Sequence, residues 1–122
     1  MKFYRCEHCG NIVTFVHNSG VPVICCGEKM KELQAGVTDA AQEKHVPIVE
    51  KVDNKVTVRV GSVAHPMFEE HYIEFIALET NEGEYVKYLK AGDEPAATFV
   101  LADGEDVIAA YEYCNLHGLW KK

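Results

Sequence analysis

Residues 55–61 read Lys-Val-Thr-Val-Arg-Val-Gly, and residues 71–78 read His-Tyr-Ile-Glu-Phe-Ile-Ala-Leu. In the first stretch Val56, Val58 and Val60 alternate with Thr57, Arg59 and Gly61, which is the period of a half-buried strand. In the second, His71, Ile73, Phe75 and Ala77 share one face, and Tyr72, Glu74, Ile76 and Leu78 share the other. On one side of these stretches, Pro47 predicts a strand start or an edge strand, because it cannot donate to a ladder. On the other, Asn81-Glu82-Gly83 predicts a turn into a strand over 85–89, and Gly92-Asp93-Glu94-Pro95 predicts another turn. Residues 98–101 and 107–113 read as a further strand pair around Asp103-Gly104-Glu105-Asp106. There is no long amphipathic pattern. Short strands punctuated by turn signals predict an all-β sandwich or barrel from His45 onward.

Residues 1–34 have a different character. They hold four of the five cysteines and only brief apolar runs, Ile12–Val16 and Val21–Ile24. So short a piece rarely folds on burial alone and usually needs a metal or disulfides. Residues 35–44, small and polar with one glycine, read as a linker. The whole chain has 122 residues and a formal net charge of −7, from 19 Asp and Glu against 12 Lys and Arg. That balance argues against nucleic acid and against an anionic membrane surface as partners. No apolar run suits a spanning helix. The opening MKFYRCEHCG has no apolar segment of the signal-peptide kind, which predicts a cytoplasmic, reducing location.

Clustered cysteines in such a compartment read as metal ligands rather than disulfides, although a disulfide stays open on spacing alone. Cys6-Glu7-His8-Cys9-Gly10 is a Cys-x-x-Cys knuckle that aims two thiolates at one ion. Cys25 and Cys26 are adjacent and precede Gly27. Neighbouring side chains of a regular strand point to opposite faces, so both can reach one ion only if the backbone bends there. A tetrahedron of thiolates selects zinc or iron. Four thiolates complete the coordination, which leaves His8 and His17 facing solvent. A second group lies in the β piece: His45, His65, His71 and His117 with Cys114, the last two forming a Cys-x-x-His pair after the final predicted strand. Ligands at strand ends and loop tips can converge at one end of a sandwich. Spacing alone does not join His45 to His117.

Four motifs taken together are more specific: Cys6-x-x-Cys9 with Cys25-Cys26-Gly27; Glu43-Lys44-His45-Val46-Pro47; Gly61-Ser62-Val63-Ala64-His65-Pro66-Met67 followed by His71; and Tyr113-Cys114-Asn115-Leu116-His117-Gly118-Leu119-Trp120. On these the chain resembles the desulfoferrodoxins, two-iron superoxide reductases, over essentially its whole length. The resemblance implies a small desulforedoxin-like Fe(Cys)4 domain over 1–36. It implies an immunoglobulin-like seven-stranded β sandwich, the catalytic domain, over 37–122. Cys6, Cys9, Cys25 and Cys26 would hold a first iron in a distorted tetrahedron. His45, His65, His71 and His117 would be equatorial ligands of a second iron, with Cys114 as its axial thiolate. Glu43 and Lys44 would act at the open sixth position. The implied reaction is one-electron reduction of superoxide to hydrogen peroxide, in a homodimer served by a rubredoxin-type electron donor. Two other readings stay open: a rubredoxin-like electron carrier whose second metal site is not catalytic, and a zinc-stapled interaction module.

Overall fold

Val56, Val58 and Val60 are buried, while Thr57 and Arg59 between them face outward. The computed structural model describes all residues from Met1 to Lys122. These separate into two compact units, Met1–Gln34 and Ala35–Lys122. No helix is long and apolar enough to cross a membrane.

The first unit is built from β1 (Phe3–Arg5), β2 (Ile12–Thr14), β3 (Ile24–Cys25), β4 (Glu28–Lys29) and β5 (Lys31–Glu32). β2, β1 and β5 form one small antiparallel sheet in that order, and β3 pairs with β4. Phe3, Cys6 and Met30 are its only buried residues. Tyr4 and Phe15 meet edge to face, with centroids 5.1 Å apart.

The second unit contains a one-turn helix, α1 (Gln42–His45), within the stretch expected to be linker. Seven strands follow: β6 (Pro47–Val52), β7 (Lys55–Val60), β8 (Ile73–Thr80), β9 (Glu84–Tyr88), β10 (Ala96–Val100), β11 (Val107–Cys114) and β12 (Gly118–Lys121). They form a three-stranded sheet, β10-β7-β6, and a four-stranded sheet, β12-β11-β8-β9. This is the expected seven-stranded sandwich. Its core is Val56, Val58, Val60, Phe99 and Leu101 from one side and Ile76, Leu78, Ala110 and Cys114 from the other. Pro47 opens β6 and β6 is a sheet edge, so both expectations for that residue hold.

Two expectations need correction. The strands over 98–101 and 107–113 do not pair with each other. β10 pairs with β7, and β11 lies in the opposite sheet between β8 and β12. The turn signals at 103–106 were real, but the connection crosses between sheets. Glu105 accounts for this crossing. It is buried and accepts hydrogen bonds from Thr80 Oγ1 at 2.5 Å, Tyr85 OH at 2.7 Å and the Ala102 N–H at 3.0 Å. The loop is thereby tied to β8 and β9 instead of closing a hairpin. Second, the strand ending at Cys114 is not the last. The Cys114–His117 turn leads into β12, which pairs back on β11.

The Glu105 network sets an acid limit on stability. The Thr80 hydroxyl, then Tyr85 and the Ala102 amide, hold the Glu105 carboxyl below the usual range. A depressed carboxyl stabilises the fold above its unfolded pKa, and the gain is lost as pH falls through the folded value. Glu105→Gln is expected to melt lower than wild type at neutral pH. The gap should close as pH drops below about 4, the unfolded carboxylate range. Melting temperature against pH checks this, and a gap that stays constant into acid contradicts it.

Candidate metal centres

In the first unit, the sulfurs of Cys6, Cys9, Cys25 and Cys26 all lie within 4.8 Å of one another, with Cys9 and Cys25 at 3.6 Å. The knuckle closes through Gly10 N–H to Cys6 O at 3.0 Å and Cys6 N–H to Asn11 O at 2.9 Å. The adjacent cysteines are accommodated by the bend expected of them. β3 and β4 join through a two-residue turn whose central residues, Cys26 and Gly27, have φ of 52° and 79°. Two positive φ values are the requirement of a type I′ hairpin turn. Cys26 therefore leaves the strand direction, and both sulfurs face the knuckle. The Cys9 N–H, with lesser help from neighbouring groups, holds the Cys6 thiol down to about 6, while Cys26 is pushed up to about 12, first by its contact with Cys6. Crowded thiols resist losing their protons together unless a cation sits among them. His8 and His17 are both exposed, and His8 pairs with Glu28 at 3.2 Å.

In the second unit, the donor atoms of His45, His65, His71, His117 and Cys114 also lie within 4.8 Å of one another. They come from α1, the loop after β7, the segment before β8, and the β11–β12 turn with the end of β11. The imidazoles meet edge to face in cyclic order. His45–His65, His65–His71, His71–His117 and His117–His45 have centroids 4.7, 4.6, 5.0 and 4.9 Å apart. Such a ring is a square, not a tetrahedron. Cys114, fully buried in the sandwich core, stands 3.8 Å from His117 Nδ1.

Backbone carbonyls decide which ring nitrogen faces inward. His45 Nδ1 bonds to Ala41 O at 2.7 Å and His65 Nδ1 to Pro66 O at 2.6 Å. Both Nδ1 atoms must then carry the hydrogen, so each Nε2 presents a lone pair. His45 Nε2 nevertheless lies 3.2 Å from His65 Nε2 and 3.1 Å from His117 Nδ1. His71 Nε2 is buried without a partner. Lone pairs converging at this range repel unless a cation binds them, and nitrogens at right angles on bonds of about 2.1 Å are about 3 Å apart. Burial lowers the pKa of His45, His71 and His65, the last to about 4, which keeps them in the neutral form that metals require. The donor set, four imidazoles and one thiol, fits a metal ion that these five residues would hold.

Glu43 and Lys44 lie on α1 immediately before His45, and both are exposed. After burial and the neighbouring histidines, the Lys44 charge is a further influence lowering the pKa of His45 and His71. The turn that carries them is clamped by the loop bearing His65. The Val63 N–H and Ser62 Oγ bond to the Glu43 carbonyl at 2.9 and 3.3 Å. A Cβ on Gly61 would meet that same oxygen at 2.6 Å, so only glycine permits the approach.

Sequence patterns did not reveal several supporting residues. Asn115 accepts from the Tyr72 N–H at 2.9 Å and donates to Glu70 O at 3.1 Å, stitching the His71 segment to the Cys114–His117 turn. Met67 Sδ accepts from the Ile73 N–H at 3.3 Å. Neither has a periodicity or spacing that marks it. Both stand inside motifs, and a partner for the segment's backbone groups was the only available signal.

Comparison with known proteins decides the family. The family described as Desulfoferrodoxin matches residues 37–122, and that described as Desulfoferrodoxin, N-terminal domain, matches residues 1–33. The chain belongs to the desulfoferrodoxin family. A desulfoferrodoxin of Nitratidesulfovibrio vulgaris is 52% identical over 98% of this chain and 94% of its own length. The solved superoxide reductase of Treponema pallidum is 39% identical, covers 98% of both chains and superposes with a TM-score of 0.83. A one-iron superoxide reductase of Giardia intestinalis covers 66% of this chain and 95% of its own, with 39% identity and a TM-score of 0.56. As a desulfoferrodoxin, this chain carries two groups able to hold metal, one of four cysteines and one of four histidines with a cysteine.

Proposed function

We propose that this desulfoferrodoxin is a superoxide reductase, converting superoxide, one electron and two protons to hydrogen peroxide. The observation that carries the reading is a ring of four imidazoles gathered with one buried thiol, five donors where an octahedral ion has six positions, which leaves one for a substrate. Closed sites hold structure, and open sites do chemistry. His45, His65, His71, His117 and Cys114 would hold the second iron, and Cys6, Cys9, Cys25 and Cys26 the first. When bound in the second site, iron supplies the single electron that takes superoxide to the peroxide level.

The chain's own residues do the rest. Burial favours the neutral imidazoles of His45, His65 and His71, and Cys114, once ionised by a bound metal, would add the donor set's one negative charge. Lys44, an exposed ammonium beside His45, draws the small anion to the open face; local field rather than net charge governs this steering. The Glu43 carboxylate, from the same turn, would cover that face after peroxide leaves. The first domain (1–36) serves as a metal-folded appendage and the second (37–122) as the catalytic sandwich. A rubredoxin-type donor supplies electrons, the working form is a homodimer, and the compartment is the cytoplasm.

Peroxide and oxygen yields test the activity. A reductase gives one peroxide per superoxide and no oxygen, whereas half a mole of peroxide with oxygen evolution contradicts the reading. Lys44→Ala is expected to slow the reaction about tenfold at low salt and to flatten its dependence on ionic strength. A variant with the wild-type rate and salt slope contradicts the steering role.

A further inference from the structure

Trp120 is the chain's only tryptophan and is 3% exposed. It lies on β12, opposite Glu112 of β11. Its indole stacks on the His45 imidazole, with centroids 4.9 Å apart and planes at 29°. Its Nε1–H donates to the His117 carbonyl oxygen at 3.1 Å. One side chain thus reaches two of the five donors, residues 72 positions apart in the sequence.

We propose that Trp120 is a positioning residue of the second metal site, acting on His45 through its ring face and on His117 through its N–H. This rests on the ligand assignment given above. The two contacts act differently. The Ala41 carbonyl fixes one atom of the His45 ring but leaves its plane free to tilt, and the stacked indole sets that plane. His117 presents Nδ1, the ring nitrogen nearer the main chain, so its donor follows the backbone closely. Anchoring its carbonyl anchors the donor. The other two histidines have separate supports: the Pro66 carbonyl for His65, and the reciprocal Phe68–His71 backbone pair for His71. Trp120 therefore governs one half of the square.

The test is cobalt(II) uptake by the full-length apoprotein, followed by visible absorption and chelator competition, for wild type, Trp120→Phe and Trp120→Leu. Circular dichroism and thermal melting of each variant control for folding of the sandwich, and the first-site four-thiolate band controls for cobalt loading. Losing both contacts, Trp120→Leu should bind second-site cobalt on the order of 10- to 100-fold more weakly. Trp120→Phe keeps a ring against His45 but loses the N–H. It should lose less affinity while shifting the second-site absorption, a change that bulk packing alone would not cause. Folded variants with wild-type affinity and an unshifted band overturn the proposal. If Trp120→Leu does not fold, the Trp120→Phe band and affinity decide alone. A wild-type chain that takes up a single equivalent of cobalt overturns the ligand assignment, and the proposal with it. Two equivalents in wild type and indistinguishable variants overturn the proposal alone.

Discussion

Replacing Cys114 with serine is expected to remove superoxide reduction, by on the order of a thousandfold or more, while leaving the sandwich folded. Cys114 has no solvent exposure, belongs to the sandwich core and lies opposite Ile73 of β8. Burial raises its thiol pKa, opposed by hydrogen bonds from the Leu116 and His117 backbones. Glu112, two residues earlier, is also fully buried, both its oxygens lack partners, and burial pushes its pKa up to about 9. The thiol thus sits where only a cation makes ionisation favourable, and a sulfur anion is the soft, electron-rich donor that an electron-giving metal requires. A serine hydroxyl is smaller, harder and far less acidic. The space and the backbone hydrogen bonds remain, so circular dichroism and the first-site absorption should be unchanged. A Cys114→Ser protein retaining a tenth of the wild-type rate contradicts the assigned role.

Removing metal from the four-cysteine site is expected to unfold residues 1–34 completely and to leave residues 35–122 folded. The small unit buries only Phe3, Cys6 and Met30, and its strands are two or three residues long. That is too little apolar burial to offset the ordering of the backbone, whereas a structural metal contributes about 10 kcal/mol or more of folding free energy. The sandwich has its own core of buried valine, isoleucine, leucine and phenylalanine. Hydrogen exchange should show protection lost throughout 1–34 in a Cys9→Ser, Cys25→Ser double variant, and proteolysis should leave a stable fragment beginning near residue 35. Persistent protection in the first unit would contradict metal-dependent folding.

Much of this architecture was legible because the apolar periods are clean. The valines of β7 announce a half-buried strand, and Pro47 announces where β6 begins and that it is an edge. The failures have physical causes. β12 is four residues long and lies inside a ligand motif, so its Gly-Leu-Trp-Lys has no period to read. The 98–113 pairing failed because turn residues mark a change of direction but not the sheet to which the chain returns. That choice was made by Glu105 reaching Thr80 and Tyr85, residues 25 and 20 positions away. In the site, the residue types and their motifs identified the donor candidates. Their inward nitrogens could not be read, because carbonyls of Ala41 and Pro66 select them. Asn115, Gly61 and Trp120 were invisible as supports for the same reason: their importance lies in what they touch.

Pulse radiolysis of the reduced, iron-loaded protein tests the central claim most directly. Superoxide generated in a short pulse should disappear in a fast second-order reaction with the protein, proportional to second-site iron, yielding one peroxide per superoxide without oxygen. A decay no faster than spontaneous dismutation, or oxygen released at half the superoxide consumed, would contradict it.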